Sequence, residues 1–263
     1  MKLALAVVML TLIGCSNPEN KGNVTLQGTF KMKYQRLKND KTDTTYSSRK
    51  QMKIFTEDYM MYANINSPDS LSSFGIGPYS FEKDTISEYV IYSASDTIKT
   101  ENPGTYKLII NKTDKGFIQV IPNILTGGKY YELTEEYESI GNDVKSSLDG
   151  VWKKVKVMQI KGKDTTLITS DVQYKIYYAG YVIWGNTWTD SLNKSHTGIG
   201  FGKFEMNGKN KLKESMMESS YYTVRGREFN IDIEMNGDDS YNQTINNADG
   251  SKSIEYYERL KKK

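Results

Sequence analysis

The sequence predicts an all-β protein built from two tandem antiparallel β-barrels of about eight strands each. Three observations lead to this prediction. The segment from Leu26 to Ile140 is repeated from Leu148 to Leu260. Short runs within each copy alternate apolar and polar residues between turn signals, and no stretch after the leader keeps a helical period over three turns. A sandwich of seven or eight strands is the alternative arrangement of each copy.

The first 14 residues are expected to be a signal peptide. Lys2 precedes an apolar run from Leu3 to Ile13, which is too short to cross a bilayer that needs about 20 residues. The run ends in Leu12-Ile13-Gly14-Cys15, which resembles the lipobox of bacterial lipoproteins. This resemblance implies that Cys15 receives a diacylglycerol group and becomes the acylated first residue after cleavage. An ordinary signal peptide with an unrelated cysteine is the alternative.

The lipobox resemblance implies attachment to a membrane surface outside the cytoplasm, because several acyl chains on one residue give stable anchoring. Residues 15–25 are polar and are expected to form a solvated tether. Ser16, rather than aspartate, follows the cysteine. This choice favours the outer membrane of a Gram-negative cell, so we expect a lipid-anchored protein of the cell envelope.

Composition excludes several classes of site. Cys15 is the only cysteine, so disulfides, thiolate metal sites and a cysteine nucleophile are not expected. The 35 lysines and arginines nearly balance 32 acidic residues, and no basic patch indicates a nucleic-acid partner. No cofactor is expected, and the oligomeric state is not fixed by the sequence.

The repeat divides the chain into barrel 1 at 26–140, a linker at 141–147 and barrel 2 at 148–263. Lys53-Ile54-Phe55 returns as Lys175-Ile176-Tyr177, and Gly75-Ile76-Gly77 returns as Gly198-Ile199-Gly200. Phe229 to Met235 alternates strictly and leads into Asn236-Gly237, a pair typical of hairpin turns. Closing each copy as a barrel would leave no exposed strand edge.

The start of the second copy resembles a known family. Gly150-Val151-Trp152 is similar to the glycine-x-tryptophan motif that opens the first strand of lipocalins and related calycin barrels. In that family an arginine from the last strand packs across the tryptophan at the closed end, and Arg259 matches it. Phe30 replaces the tryptophan in copy one, where Ser139 stands in place of the arginine. The resemblance implies a cup, open at one end, for a small apolar or amphipathic ligand.

Aromatic residues are the candidates for contact with such a ligand, because their rings suit lipids, sterols or the faces of sugars. They crowd one region of copy two and recur at matching positions in copy one. The candidates are Tyr59, Tyr62, Tyr178, Tyr181, Trp184 and Trp188. The same rings could instead fill the barrel cores.

Other motifs argue against catalysis. Gly198 to Gly202 leads into a strand rather than a helix, which excludes a phosphate-binding loop. His196 is the only histidine and is interpreted as a loop residue. Glu88 and Glu214 recur in both copies and are expected at surface or rim positions. We therefore predict a non-enzymatic lipoprotein that binds a small hydrophobic or amphipathic ligand; the alternative is a glycan- or protein-interaction module with filled barrels.

Overall fold

The computed structural model describes residues 26–65, 72–94, 103–141, 144–169, 171–247 and 249–261. The predicted signal peptide, Cys15 and the tether at 15–25 lie outside the described residues. All regular structure in the described ranges is β-strand. No helix in these ranges is long and apolar enough to cross a membrane.

Barrel 1 is a closed sheet of eight antiparallel strands, with two short strands added at its rim. The closed path runs β1-β3-β4-β5-β6-β8-β9-β10 and returns to β1, while β2 pairs with β1 and β7 with β5. The strands are β1 (Gly28–Lys38), β2 (Asp43–Tyr46), β3 (Lys50–Phe55), β4 (Tyr59–Ile65), β5 (Ser73–Glu82), β6 (Thr85–Val90), β7 (Tyr92–Ser93), β8 (Gly104–Thr113), β9 (Gly116–Thr126) and β10 (Lys129–Ser139).

Barrel 2 repeats this topology. Its path runs β11-β13-β14-β15-β16-β17-β18-β19 and closes where β19 pairs with β11, with β12 as the added strand. The strands are β11 (Gly150–Lys161), β12 (Asp164–Ile168), β13 (Val172–Tyr178), β14 (Tyr181–Thr189), β15 (Ser195–Met206), β16 (Lys211–Ser219), β17 (Glu228–Met235), β18 (Ser240–Asn246) and β19 (Lys252–Arg259).

Pairing of first and last strands confirms the barrel and rules out the sandwich. The closing registers are equivalent, since Phe30 stands opposite Ser139 in barrel 1 and Trp152 opposite Arg259 in barrel 2. The predicted hairpin at Asn236-Gly237 is also present, with β17 ending at Met235 and Gly237 at φ 73°. That conformation suits glycine, which has no Cβ to clash.

Strand alternation gives each barrel an inner and an outer face. On β13, Tyr177 packs in the core inside barrel 2, whereas Tyr174 and Ile176 belong to an apolar cluster shared with barrel 1. The outer face of this strand is therefore buried as well. Gln173 and Lys175, in phase with Tyr177, point inward.

The shared cluster joins the two barrels through equivalent faces. Strands β3, β4 and β5 of barrel 1 contact β13, β14 and β15 of barrel 2. Both members of several repeat-related pairs lie in the cluster; they are Met52 and Tyr174, Ile54 and Ile176, Tyr59 and Tyr181, Met61 and Ile183, and Ile76 and Ile199. Tyr92 adds a hydrogen bond of 2.5 Å to Thr187 Oγ1. The contact is thus an approximate two-fold interface within one chain.

The closed end of barrel 2 has the predicted tryptophan–arginine contact. The Arg259 guanidinium carbon lies 4.0 Å from the Trp152 ring centroid, a cation–π geometry. Arg259 also donates to the backbone oxygens of Asp149, Ser147 and Asp238. Trp152 is fully buried and donates to the Leu148 carbonyl at 2.8 Å. Phe30 occupies the equivalent place in barrel 1 and packs edge-on against Phe117.

Candidate functional site: a cup in barrel 2

A cavity of about 560 Å³ opens at the end of barrel 2 away from Trp152. Its wall is mainly aromatic and aliphatic, and its floor is polar. The wall includes Trp184, Met216, Tyr221, Val224, Phe229, Ile231 and Ile245. The floor and rim include Gln173, Lys175, Glu214, Glu228, Gln243 and Glu255. An apolar wall with a few polar groups is typical of small-molecule sites.

The floor is a hydrogen-bonded layer that crosses the barrel interior. Lys175 Nζ donates to Glu214 Oε1 at 3.0 Å, to Gln243 Oε1 at 3.1 Å and to the Tyr177 hydroxyl at 3.2 Å. Gln243 Nε2 in turn donates to Glu255 Oε2 at 2.6 Å. The Lys175 and Glu214 side chains are only 4% and 7% exposed. A buried charge is tolerated only when it is paired and hydrogen-bonded, and this layer meets that condition.

Two tyrosines keep the carboxylates of this layer supplied with donors. Tyr177 donates to Glu214 Oε1 and Tyr257 donates to Glu255 Oε2, both at 2.6 Å. Burial, reinforced by the neighbouring carboxylates, raises the pKa of both hydroxyls well above the ordinary value. Both therefore stay protonated and act as donors at neutral pH.

Barrel 1 contains the same layer at equivalent positions. Lys53 Nζ donates to Glu88 Oε1 at 3.0 Å and to Gln119 Oε1 at 2.8 Å. Gln119 Nε2 and the Tyr137 hydroxyl both donate to Glu135 Oε2. The layer has therefore been retained in both copies, lysine for lysine and glutamate for glutamate.

The prediction that Glu88 and Glu214 lie at surface or rim positions was wrong. Both residues are buried, with 4% and 5% exposure. Alternation places them on the inner face of β6 and β16, where Lys53 and Lys175 neutralise them. Carboxylates are rarely buried without a partner, and each partner comes from a strand that is distant in sequence.

Of the six aromatic candidates, only Trp184 lines the cup. Its indole donates to Met216 Sδ at 3.3 Å and its ring stacks on Tyr221 at 5.9 Å. Tyr62 takes the equivalent position on β4 of barrel 1, with its ring 5.9 Å from Lys53 Nζ. Trp184 and Tyr62 each lie across a glycine of the next strand, Gly200 and Gly75, where an added Cβ would come within 2.6 and 2.5 Å of the ring.

Three other candidates lie between the barrels rather than in a cup. Tyr59 and Tyr181 belong to the shared apolar cluster, and Tyr178 packs against it. Tyr59 also donates to the Lys261 carbonyl at 3.0 Å, and Tyr178 donates to Gln27 Oε1 at 3.2 Å. Their place on the outer face of β4, β13 and β14 excludes them from the barrel interiors.

Trp188 and His196 stack on each other beside Tyr221 and do not line the cup. The Trp188 ring stacks on His196 at 5.2 Å and lies 6.3 Å from Tyr221. His196 Nε2 is 2.7 Å from Asp190 Oδ2. His196 is the second residue of β15, so the interpretation as a loop residue was wrong, although it lies next to the β14–β15 turn.

Sequence reasoning missed the polar floor. Its signal was present, because Lys175, Glu214, Gln243, Glu255 and Tyr257 each match the same residue type in copy one.

A larger groove of about 1110 Å³ runs outside barrel 2, between residues 144–147 and the β15–β16 hairpin. The two glutamates and most of the lysines that line this groove are exposed, whereas the charged groups Lys175 and Glu214 of the cup are buried. No described residues form a group of three potential metal ligands from histidine, cysteine, aspartate or glutamate.

The closed eight-stranded topology and the open cup define a protein of tandem lipocalin-like barrels. No protein-family model and no curated protein matches the chain. Among solved structures, it is similar to a lipocalin-like protein from Bacteroides uniformis, with 13% identity and a TM-score of 0.29 over 44% of this chain and 100% of that one. It is also similar to a protein of unknown function of the DUF3598 family from Nostoc punctiforme, with 10% identity and a TM-score of 0.26 over 89% and 96%. The fold class rests on the strand pairings.

Proposed function

We propose that this protein binds a small amphipathic ligand in the cup of barrel 2 and does not act as an enzyme. The observation that carries the proposal is the cavity of about 560 Å³, whose apolar wall stands over a buried polar floor. The wall would hold the apolar part of the ligand, and the floor would orient its polar group. The alternative, an interaction module with filled barrels, is disfavoured by this cavity.

We further propose that the protein acts at the cell envelope, anchored by lipid on Cys15, with residues 15–25 as the tether. This part of the proposal rests on the lipobox resemblance alone. Treating cells with an inhibitor of lipoprotein signal-peptide cleavage tests it. Accumulation of an uncleaved form, and loss of membrane attachment in a Cys15→Ala variant, are expected; an unchanged membrane fraction for that variant would contradict it.

Native mass spectrometry of the full chain, purified from its own host, tests ligand binding. A bound small molecule is expected on the wild-type protein. A Met216→Trp variant should lose it, because the larger side chain would fill the cup. Leu192→Trp is the matched control, since Leu192 is 84% exposed and lies outside the cup. Wild-type protein free of any adduct under gentle conditions would count against the proposal.

A further inference from the structure

The polar layers of the two barrels differ in their hydrogen bonds, and one difference lies at the carboxylate of Glu135 and its counterpart Glu255. In barrel 1, Glu135 accepts from Gln35 Nε2 on Oε1, at 3.0 Å, and from Gln119 and Tyr137 on Oε2. Gln35 and Val157 are equivalent, because each stands opposite the layer glutamate in the register that closes its barrel. Barrel 2 therefore replaces the donor on Oε1 with an apolar side chain.

Glu255, the counterpart of Glu135, is consequently left with one oxygen to spare. Gln243 and Tyr257 both donate to its Oε2. Among the described residues none donates to its Oε1, and Glu255 lines the cup. Glu214 also lines the cup, and its two described donors, Lys175 and Tyr177, both bind Oε1. The floor thus presents acceptor capacity that the chain itself does not fill.

The one ammonium of the floor has no hydrogen left for an anionic ligand. An ammonium has three donor hydrogens, and Lys175 directs its hydrogen bonds to three described acceptors. Of the three carboxylates that line the cup, Glu214 is paired with Lys175 and Glu228 with Lys213, whereas Glu255 has no ion-pair partner among the described residues. The electrostatic balance of the cup is therefore negative and would attract a cation.

We propose that the cup of barrel 2 selects ligands that carry an ammonium or similar cationic donor on an apolar body, with Glu255 Oε1 as the acceptor. This inference rests on the proposed function and names its ligand class. The apolar body would contact Met216 and Ile231, while the Trp184 and Tyr221 rings offer aromatic faces to the cation. The contact is non-covalent, and a charged donor on a partly buried carboxylate makes a strong hydrogen bond.

Three probes that share one chain length test the ligand class. Octylamine, octanol and octanoate would be titrated into the full chain at pH 7, and binding would be followed by calorimetry and by tryptophan fluorescence. We expect octylamine to bind most tightly and octanoate most weakly. Glu255→Gln should weaken octylamine binding about tenfold and leave octanol unchanged, since the charged hydrogen bond alone is lost. Glu135→Gln in barrel 1 is the matched control and should change the affinity for neither octylamine nor octanol.

A second variant keeps the charge of Glu255 and occupies only its free oxygen, Oε1, with a donor from the protein. Val157→Gln restores the donor that Gln35 provides in barrel 1, so octylamine binding should again weaken by severalfold while the barrel stays folded. Equal affinity for the three probes, or octylamine binding that Glu255→Gln leaves intact, would overturn the cationic preference and leave cup binding standing. Failure of all three probes, with no difference between wild type and Met216→Trp, would contradict both proposals.

Discussion

Buried lysines are the residues on which each barrel interior depends. Lys53 and Lys175 are each only 3% exposed and each holds a glutamate from another strand. Replacing a buried ion pair as a whole can be nearly neutral, but removing one partner leaves an uncompensated charge. The two lysines therefore make the carboxylates of the layer tolerable inside an apolar barrel.

We expect Lys175→Met to lower the free energy of unfolding by about 3–5 kcal/mol, because Glu214 would remain buried without its cation. Urea denaturation followed by circular dichroism measures this. The double variant Lys175→Met/Glu214→Leu should recover most of the loss. Lys203→Met, at an exposed position on the same barrel, serves as the control and should change stability little. A small effect of Lys175→Met would show that the layer is not a stabilising ion pair.

Asp149 predicts a pH dependence of stability. Partial burial raises its pKa to about 6, although Ser146 and Arg259 act in the opposite direction. The folded state then holds this proton more tightly than the unfolded state, so stability falls as pH rises from about 4 to 6. The Asp149→Asn variant should not show this loss, so its free energy of unfolding at pH 7.5 should exceed that of wild type by about 1 kcal/mol. Solvent screening of the half-exposed side chain keeps the difference this small.

The check is to compare urea midpoints of Asp149→Asn and wild type at pH 3.5 and pH 7.5. The two proteins should be nearly alike at the lower pH, where the carboxyl is mostly protonated in both states. An equal gain in stability at both pH values would mean that burial of the Asp149 charge is not the cause of the gain. Other acidic groups titrate in this range too, but they cancel in the difference between the two proteins.

At the scale of the strand, the glycines of β15 shape the cup. Gly200 stands opposite Trp184 in the β14–β15 register, and its missing side chain leaves room for the indole. A ring lying over a glycine on the neighbouring strand compensates for the lost side chain. Gly75 and Tyr62 repeat the arrangement in barrel 1.

Gly200→Ala should push the Trp184 ring from its place, because the new methyl would lie 2.6 Å from it. Overpacking of this kind costs about 1–3 kcal/mol, and the tryptophan emission should shift as well. Gly127→Ala is the control, since its methyl would meet no neighbour and only its φ of 55° is disfavoured. Unchanged emission in Gly200→Ala would mean that the ring is not held against the glycine.

Sequence patterns predicted the elements better than they predicted the site. The repeat, the alternation of Phe229 to Met235 and the hairpin signals predicted two eight-stranded barrels, with a sandwich as the alternative that the pairing of first and last strands rules out. Alternation alone does not say which face is inside, because the outer face of β13 and β14 is also buried. Tyr59 and Tyr181 were consequently assigned to a cup although they lie between the barrels. Glu214 was expected at a surface or rim position for a related reason, since its partner Lys175 is 39 positions away in the sequence.

On the scale of the whole molecule, the shared cluster joins the apolar cores of the two barrels. We expect wild type to unfold in a single calorimetric transition. Ile183→Asp should separate the barrels, because Ile183 is fully buried between them and lies on the outer face of its own barrel. Two transitions and a longer maximum dimension in X-ray scattering are the expected results.

Leu167→Asp is the control for this change, because Leu167 is 60% exposed. It should leave one transition and the same scattering profile. If Ile183→Asp merely lowered the temperature of one transition, with unchanged dimensions, the two barrels would have to be held together by contacts other than this cluster.

The two-fold character of that interface has a consequence for assembly. Equivalent faces that bury each other are the contact of a homodimer, yet here both partners belong to one polypeptide. Their association is intramolecular, so it is set by the linker at 141–147 and not by the protein concentration. The covalent joining also allows the halves to differ, as Gln35 and Val157 do, which identical subunits encoded by one gene could not.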